Sequence, residues 1–299
     1  MRLYRFLSQI LTISAAATVF VTCLTGTAHT QRRPTSQPVQ INKVNDHLYE
    51  MTGGGISRTA AVVGEDGFMF IDAMQGEKPM KETVAQLEQM TGKSLKYLVL
   101  THGDMDHSDG IRHIPQEVIV IAHKNIFEAM KFQDNGEPSD WATNPDLVKF
   151  KPDVTFSDTM SIDLGSRRVE LYWFDVGHTP ADIFIYLPED KIVFAGDEAG
   201  IGGVQLIHTV KGGNSFGHVR ALEKLLTTID ADTYFFGHYP SGGREIIQQR
   251  IDDMKKRHEI VRQLISDGKT REEVVATFSR LEKRIAGVIF DEITEGRDK

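Results

Sequence analysis

Short apolar runs recur along the chain, each closed by glycine, proline or an acidic turn. Residues 47–51, 59–63 and 68–71 read as strands. Gly53, Gly54 and Gly55 separate the first two, and Glu65, Asp66 and Gly67 form a hairpin-turn signal before the third. From Glu77 to Thr91 the period lengthens: Met80, Val84 and Leu87 share one helical face, and Gly92 supplies the stop. Strands are predicted again at 97–100 and 118–121, then a helix at 123–130 that starts with His123. Residues 131–152 are polar, broken by Gly136, Pro138, Pro145 and Pro152, and carry Trp141. They read as a loop or a connector between two halves. The second half repeats the rhythm, with strands at 169–174, 183–187 and 192–195. A helix capped by Asn214 or Ser215 carries Val219, Leu222, Leu226 and Ile229, and 234–236 is a further strand. A long amphipathic helix follows, with Ile247, Ile251, Met254, Val261 and Ile265 on one face and Gly268 at its end. Thr270 and Glu273 have the spacing of a capping box that opens a last helix. Two halves that each run strands then helix predict two α/β layers facing one another.

Composition narrows this picture. The chain has 299 residues, 40% of them hydrophobic, enough for one large domain or two small ones. Its N-terminus differs from the rest. Arg2 and Arg5 precede an apolar run over 10–24, and Gly26, Thr27 and Ala28 offer a cleavage site. Residues 1–28 are therefore expected to be a secretory signal peptide, with the product secreted or periplasmic and not stably inserted in a membrane after cleavage. An uncleaved anchor is the alternative. A lipidated Cys23 ranks below it, because Phe20, Val21 and Thr22 make a poor lipobox. Residues 29–40 read as a flexible leader, 41–245 as the main domain, and 246–299 as C-terminal helices that pack on or extend it. Cys23 is the only cysteine, so metal ligands in the processed chain must be His, Asp or Glu. The net charge of −8 becomes −10 once Arg2 and Arg5 are removed, which disfavours nucleic acid as a partner. Oligomeric state is not readable from the sequence.

The chemistry concentrates in one run. His102, Gly103, Asp104, Met105, Asp106 and His107 follow the apolar Leu98, Val99 and Leu100. His178 follows Val176 and Gly177, Asp197 follows Val193 to Gly196, and His238 follows Tyr234 to Gly237. Alternate residues of an extended segment point the same way, so His102, Asp104 and Asp106 can aim at one side. Adjacent Asp106 and His107 diverge and can serve two neighbouring ions. Taken singly, Asp106 suits a helix N-terminus, Asp197 a turn, and His178 or His238 a satisfied core or surface position. Together and in this order they describe a metal site at a sheet edge. Two ions there would share a water, lower its pKa and polarise the bond it attacks. Other candidates are secondary. Tyr239 is placed to donate to a developing oxyanion, with plain packing as the equal alternative. His208 and Lys211, in the glycine-rich stretch 200–213, are placed to line the pocket and meet an anionic substrate. His123 is expected near the site without binding metal, and His113 at the surface.

This order of residues resembles the metallo-β-lactamase superfamily, over roughly residues 41–245. The resemblance rests on the His-x-Asp-x-Asp-His run at 102–107, the Gly-His-Thr of His178, the Ala-Gly-Asp of Asp197 and the Gly-His of His238. It implies an α/β fold, a four-layer αββα sandwich of two mixed β-sheets flanked by helices. It further implies that His102, Asp104 and His178 hold one ion, that Asp106, His107 and His238 hold a second, and that Asp197 bridges them. Asp72, which ends the run Phe70-Ile71-Asp72, matches an aspartate that supports the site. Asp106 would also orient the attacking hydroxide. One position departs from the family pattern, which usually has histidine where this chain has Asp104. Three carboxylates leave two divalent ions a formal +1 rather than +2, so the shared water is acidified less. Zinc is the expected metal, with iron or manganese as rivals that favour carboxylate oxygen. Aspartate at 197, where dedicated lactamases generally have cysteine or serine, resembles the glyoxalase II, lactonase, sulfatase and phosphodiesterase branches. The implied protein is an exported binuclear hydrolase acting on an ester, thioester or lactone bond of a small-molecule substrate. The rival readings are a non-haem iron redox enzyme, and a metal- or partner-binding protein weakened through Asp104. Substrate choice would lie in the loops at 53–57, 132–150 and 200–213.

Overall fold

Twelve strands, numbered along the described residues, sort into two sheets. The first sheet holds β1 (Val39–Lys43), β2 (Leu48–Gly53), β3 (Thr59–Val63), β4 (Phe68–Ile71), β5 (Leu95–Val99), β6 (Ile119–His123) and β7 (Val154–Phe156), adjacent in that order. Pairing is antiparallel from β1 to β4 and parallel from β4 to β7. The second sheet holds β8 (Thr159–Asp163), β9 (Arg168–Tyr172), β10 (Phe184–Leu187), β11 (Ile192–Phe194) and β12 (Thr233–Phe235), in spatial order β12-β11-β10-β9-β8. Only β11 and β12 are parallel. The computed structural model describes residues 38–53, 57–200 and 204–299. The expected signal peptide, the leader up to residue 37 and the tips of two candidate specificity loops lie outside these residues. The leader was expected to run to residue 40, but β1 begins at Val39, where Val39 and Ile41 face the first sheet's outer core.

Period-2 alternation divides each strand between two cores. In β4, Phe68 and Phe70 face outward, towards helix α1 (Glu77–Thr91) with its Met80, Val84 and Leu87. Met69 and Ile71 of the same strand face inward and meet Leu171, Ile185 and Phe194 of the second sheet. In β11 and β12, Val193 and Tyr234 face the second sheet's outer helices, while Phe194 and Phe235 join the core between the sheets. The result is three cores and four layers, helix–sheet–sheet–helix.

The first sheet's side carries three short helices besides α1: α2 (Met105–Ser108), α3 (Ile126–Met130) and α4 (Asp140–Thr143). The outer face of the second sheet is covered by α5 (Ser215–Thr228), α6 (Arg244–Ser266) and α8 (Lys283–Thr294), with α7 (Arg271–Thr277) packed on α8. Asn214 caps α5 by accepting from the Gly217 N–H at 2.7 Å, and Thr270 with Glu273 forms the capping box of α7. α6 begins at Arg244, and Ile247, Ile251, Met254 and Val261 share one core with Tyr234 and Leu222.

Three details differ from the sequence reading. His123 ends β6 rather than opening a helix; its ring stacks on Trp173 at 4.9 Å, and α3 starts at Ile126. Residues 131–152 are partly helical, because Ser139 and Asn144 cap two short turns at Asp140–Thr143 and Pro145–Phe150. β7 and β8 went unread: both are edge strands with most side chains exposed, β7 has only three residues, and β8 offers just two inward apolar positions, Met160 and Ile162.

Candidate metal centre

Two parallel strand pairs deliver the polar residues to one edge. β4 and β5 run the same way, so Asp72 and the 102–107 run leave the sheet together; the Asp72 N–H donates to Val99 O at 2.8 Å. β11 and β12 likewise release Asp197 and His238 side by side, where the Gly237 N–H donates to Gly196 O at 2.8 Å. After β5 the chain stays extended through Asp104 and then turns into α2, which sets Asp106 and His107 in its first turn. Gly237 is required by proximity: a Cβ there would lie 2.1 Å from Asp197 Oδ1 and 2.6 Å from His107 Cε1.

The structure brings together all seven residues singled out in the sequence as ligands. His102, Asp104 and His178 form one group, with His178 Nε2 3.1 Å and His102 Nε2 3.9 Å from Asp104 Oδ2. Asp106, His107 and His238 form a second, with His238 Nε2 3.1 Å and His107 Nε2 3.8 Å from Asp106 Oδ2. Asp197 reaches both groups. Its Oδ2 lies 3.1 Å from His238 Nε2 and 3.9 Å from His102 Nε2, and its Oδ1 lies 3.4 Å from His107 Nε2.

These separations suit metal coordination. Ligands about 2.0–2.1 Å from a tetrahedral ion sit roughly 3.3 Å from one another. Each buried histidine also has its far nitrogen tied back, which leaves Nε2 to face the centre. His107 Nδ1 pairs with Asp72 Oδ2 at 2.8 Å, His178 Nδ1 with Leu206 O at 2.8 Å, and His102 Nδ1 with Thr101 Oγ1 at 3.0 Å. Asp72 in turn accepts from the Thr101 N–H at 2.7 Å. His102 Nε2 and Asp197 Oδ1 are buried and have no hydrogen-bond partner in the protein. Orphaned buried donor atoms are costly unless something else satisfies them, and a cation does so here. The residues present therefore fit two divalent ions.

The electrostatics follow from packing so many like groups together. Burial, reinforced by the charge of His107, lowers the His102 pKa to about 4, so this ring is neutral and ready as a ligand. Burial opposes charge on His178, but the Asp104 hydrogen bond and charge outweigh it and raise the pKa to about 10. Hydrogen bonds to Asp106 and Asp197 raise His238 to about 9. Burial would raise the Asp104 and Asp197 carboxyls, yet the surrounding histidines hold both well below the usual range. A cation entering the cluster takes over the role of these protons.

Beside the seven lie residues the sequence reading missed or placed otherwise. Lys211 was expected to meet an anionic substrate; instead its buried Nζ donates to Asp104 Oδ1 and to Asp134 Oδ1, each at 2.7 Å. His208 Nε2 stands 3.1 Å from Asp104 Oδ2. Glu198 and Asp182 are buried beneath His178. Glu198 Oε1 accepts the His178 N–H at 2.7 Å, and Asp182 accepts from Thr179. Burial and the charge of Asp182 push the Glu198 carboxyl well above its ordinary value. In sequence these carboxylates look like ordinary surface charge. His123 belongs to none of the clusters, and His113 is half-buried at the end of a turn. Tyr239 is half-buried and packs its ring over Gly200.

The centre opens on a cavity of about 440 Å³. Asp104, Asp106, Asp197, His178 and His238 line one side, and Val204, Leu206, Tyr239 and Arg250 line the rest. Arg250 is held there by a bond from Nη2 to Gly200 O at 2.9 Å.

Comparison with known proteins agrees with this geometry. Metallo-beta-lactamase type 2 of Elizabethkingia meningoseptica is 24% identical over 165 residues, covering 53% of this chain and 61% of that protein. The hydroxyacylglutathione hydrolase GloC of Haemophilus influenzae is 28% identical over 116 residues, covering 37% of this chain and 53% of that protein. The chain thus spans less than two thirds of the length of these curated relatives. Among solved structures, a stereoselective inverting sec-alkylsulfatase from Pseudomonas sp. superposes with a TM-score of 0.66 at 16% identity, covering 84% of this chain and 47% of that one. At that identity the likeness speaks for the fold alone. The model of one family, the metallo-beta-lactamase superfamily, matches residues 53–238, a segment that begins in β2 and ends on the last of the seven clustered residues. With the αββα layering and that match in hand, the chain belongs to the metallo-beta-lactamase superfamily.

Proposed function

We propose that this protein is an exported, binuclear metal-dependent hydrolase acting on ester, thioester or lactone bonds of small molecules. One observation carries the reading: seven His and Asp side chains converge, two of their buried atoms unpartnered, and five of the seven line a 440 Å³ cavity. The relatives include a hydroxyacylglutathione hydrolase, which supports thioester or ester chemistry. In this reading His102, Asp104 and His178 hold one ion, Asp106, His107 and His238 hold the other, and Asp197 contacts both. Two divalent ions, zinc by default and iron or manganese as rivals, would supply a shared water of lowered pKa and a Lewis acid for the bond under attack.

The protein's own groups do the rest. Asp106 is a third exposed, unlike the other carboxylates of the centre, so it meets the cavity and orients the attacking water. Tyr239, next to His238 in the chain and lining the same cavity, donates to the oxygen that gains charge. Val204 and Leu206 exclude bulk water and strengthen each of these interactions. Asp72 and Thr101 hold the rings of His107 and His102 in place.

The decisive experiment is a panel of esters, thioesters, lactones, phosphodiesters and sulfates, tested on protein reloaded separately with zinc, manganese and iron. Hydrolysis that disappears with Asp106→Ala and Asp197→Ala supports the proposal. Wild-type rates in those variants would sink it, as would fewer than about one tightly bound ion per chain. Export is tested separately: protein recovered outside the cytoplasm should have lost residues 1–28, and an intact N-terminus would refute cleavage.

A further inference from the structure

The ligand candidates of the first group share one device. His102 and His178 each tie back one ring nitrogen and present the other to the centre. Asp104 does the same with its two oxygens. Oδ2 faces His178 Nε2 and His208 Nε2 at 3.1 Å and His102 Nε2 at 3.9 Å, while Oδ1 is bound by Lys211 Nζ at 2.7 Å. The Lys211 side chain is 4% exposed, so this ammonium is a fixed, desolvated charge and not a surface lysine that happens to reach the site. Its backbone is fixed as well. Lys211 closes a short turn in which its N–H donates to His208 O, and the His208 N–H donates to His178 O, each at 2.9 Å. The segment carrying the ammonium is therefore locked to the segment carrying a neighbouring ligand.

We propose that Asp104 and Lys211 work as one neutral, single-atom ligand, with Oδ2 given to the metal and Oδ1 occupied by the ammonium. This rests on the metal-centre reading above and adds to it. A free carboxylate would bring an extra negative charge and a second oxygen able to chelate. The ion pair removes both, and the unit then matches a neutral imidazole in charge and in the number of atoms it offers. Asp134 also contacts Lys211 Nζ at 2.7 Å, but it is 65% exposed and largely solvated, so this contact is the weaker of the two and the buried Asp104 is the partner that depends on the ammonium. Lys211 acts through Asp104 and is a positioning residue.

A double-mutant cycle on the full-length protein tests the idea with metal binding as the readout. Zinc affinity is measured by chelator competition for wild type, Asp104→His, Lys211→Met and the double variant, and cobalt(II) absorption reports coordination number. Asp104→His alone leaves a buried ammonium facing two ions, and should weaken one zinc site by about tenfold or more. Asp104→His with Lys211→Met removes that ammonium and should recover affinity to within about threefold of wild type. Lys211→Met alone frees Oδ1 to chelate, and should weaken the cobalt d–d bands as coordination number rises, whereas Lys211→Arg should retain them. If a variant melts early, the Arg and Met pair at 211 still decides the question, since both alter the same contacts and only one keeps the charge. Equal zinc affinity for Asp104→His with and without Lys211, or an unchanged cobalt spectrum in Lys211→Met, overturns the inference but leaves the binuclear centre standing. A wild-type protein that binds no transition metal overturns both.

Discussion

Asp72 lies outside the cluster of ligand candidates, yet the structure makes it the most informative residue to change. Its two oxygens have different partners. Oδ1 accepts the Thr101 N–H at 2.7 Å, and Oδ2 lies 2.8 Å from His107 Nδ1. Asparagine at 72 keeps the shape but has only one acceptor. A backbone N–H cannot reverse its role, so the amide oxygen must face Thr101 and the NH₂ must face His107. His107 Nδ1 then has to accept, and its proton moves to Nε2, the atom that faces Asp197 and Asp106. A protonated Nε2 cannot bind a metal. The backbone tolerates this change, because Asp72 sits at φ 64, a region that asparagine enters readily.

Alanine at 72 does something different. It orphans the Thr101 N–H and His107 Nδ1, both buried, at about 1–3 kcal/mol each, and takes from the Thr101 hydroxyl its carboxylate partner, leaving it only His102 Nδ1. It also places a residue that lacks a local hydrogen-bonding side chain in the left-handed region, at about 1 kcal/mol more. Asp72→Ala should therefore lower stability by roughly 4 kcal/mol or more, a fall in Tm of about 8–16 °C in a domain of this size. Asp72→Asn should cost only about 1 kcal/mol in stability, but about 10–100-fold in affinity for one metal ion. Urea melts of the chelated protein and zinc titrations against a competing chelator separate the two effects, and nitrogen-15 NMR of the imidazoles reads the tautomer directly. An Asp72→Asn protein that binds both ions with wild-type affinity would refute this account of how His107 is held.

Three further outcomes follow from the same geometry. Gly237→Ala pushes a Cβ against Asp197 Oδ1 and His107, so metal content and hydrolysis should both fall while circular dichroism stays unchanged; retained metal would show that the close approach is slack. Binding of zinc at pH 7 should release about three protons, because His178 and His238 carry pKa values of about 10 and 9, His107 is held despite its burial well above its ordinary value by Asp197 and Asp72, and all three must free a ring nitrogen to coordinate; calorimetry in buffers of different ionisation enthalpy counts them, and a proton-neutral reaction would contradict the pairing. His258, with its pKa lowered to about 3 by burial, stands below its unfolded value of 6.5, so the folded state is fully favoured above pH 6.5 and loses stability as pH falls towards 3. Between pH 6.5 and 5 that loss is about 2 kcal/mol, and His258→Gln should flatten this part of the urea-melt profile; an unaltered slope would remove His258 as the cause. Glu292, packed with His258 on Ser215, is raised by burial and has the opposite slope, losing stability as pH rises through its folded value, so the comparison is made between variant and wild type.

The parts of this protein that could be read from sequence are those where chemistry and periodicity coincide. The run from His102 to His107 was legible because six consecutive residues leave a buried strand, and because Asp197 and His238 leave two others at the same edge. The sheets were legible where strands alternate between two cores, as in Phe68–Ile71, and illegible where they lie at an edge, as in Val154–Phe156. His123 was misplaced because apolar residues on both sides of it satisfy either period, and its stacking on Trp173 involves a residue 50 positions away. The buried carboxylates Asp182 and Glu198 left no trace in the pattern, since a charge in sequence carries no mark of its burial.

Lys211 shows why the charge of a metal centre cannot be counted from its ligand motif. With the motif alone, Asp104 adds a third negative charge and makes the centre less able to acidify water. The structure sets a desolvated ammonium 2.7 Å from that carboxylate, delivered by a turn 107 residues later in the chain. At such a distance in a buried setting the pair behaves electrostatically as a single dipole, and its net contribution to the formal charge of the centre returns to zero. Asp104 then favours iron or manganese less, because that preference belongs to an uncompensated, chelating carboxylate. A carboxylate with one oxygen engaged offers zinc a single short contact, as an imidazole does. On this reasoning the metal that the protein selects is decided by Asp104 and Lys211 jointly, and a search of sequence for the metal preference of this site has to follow both positions.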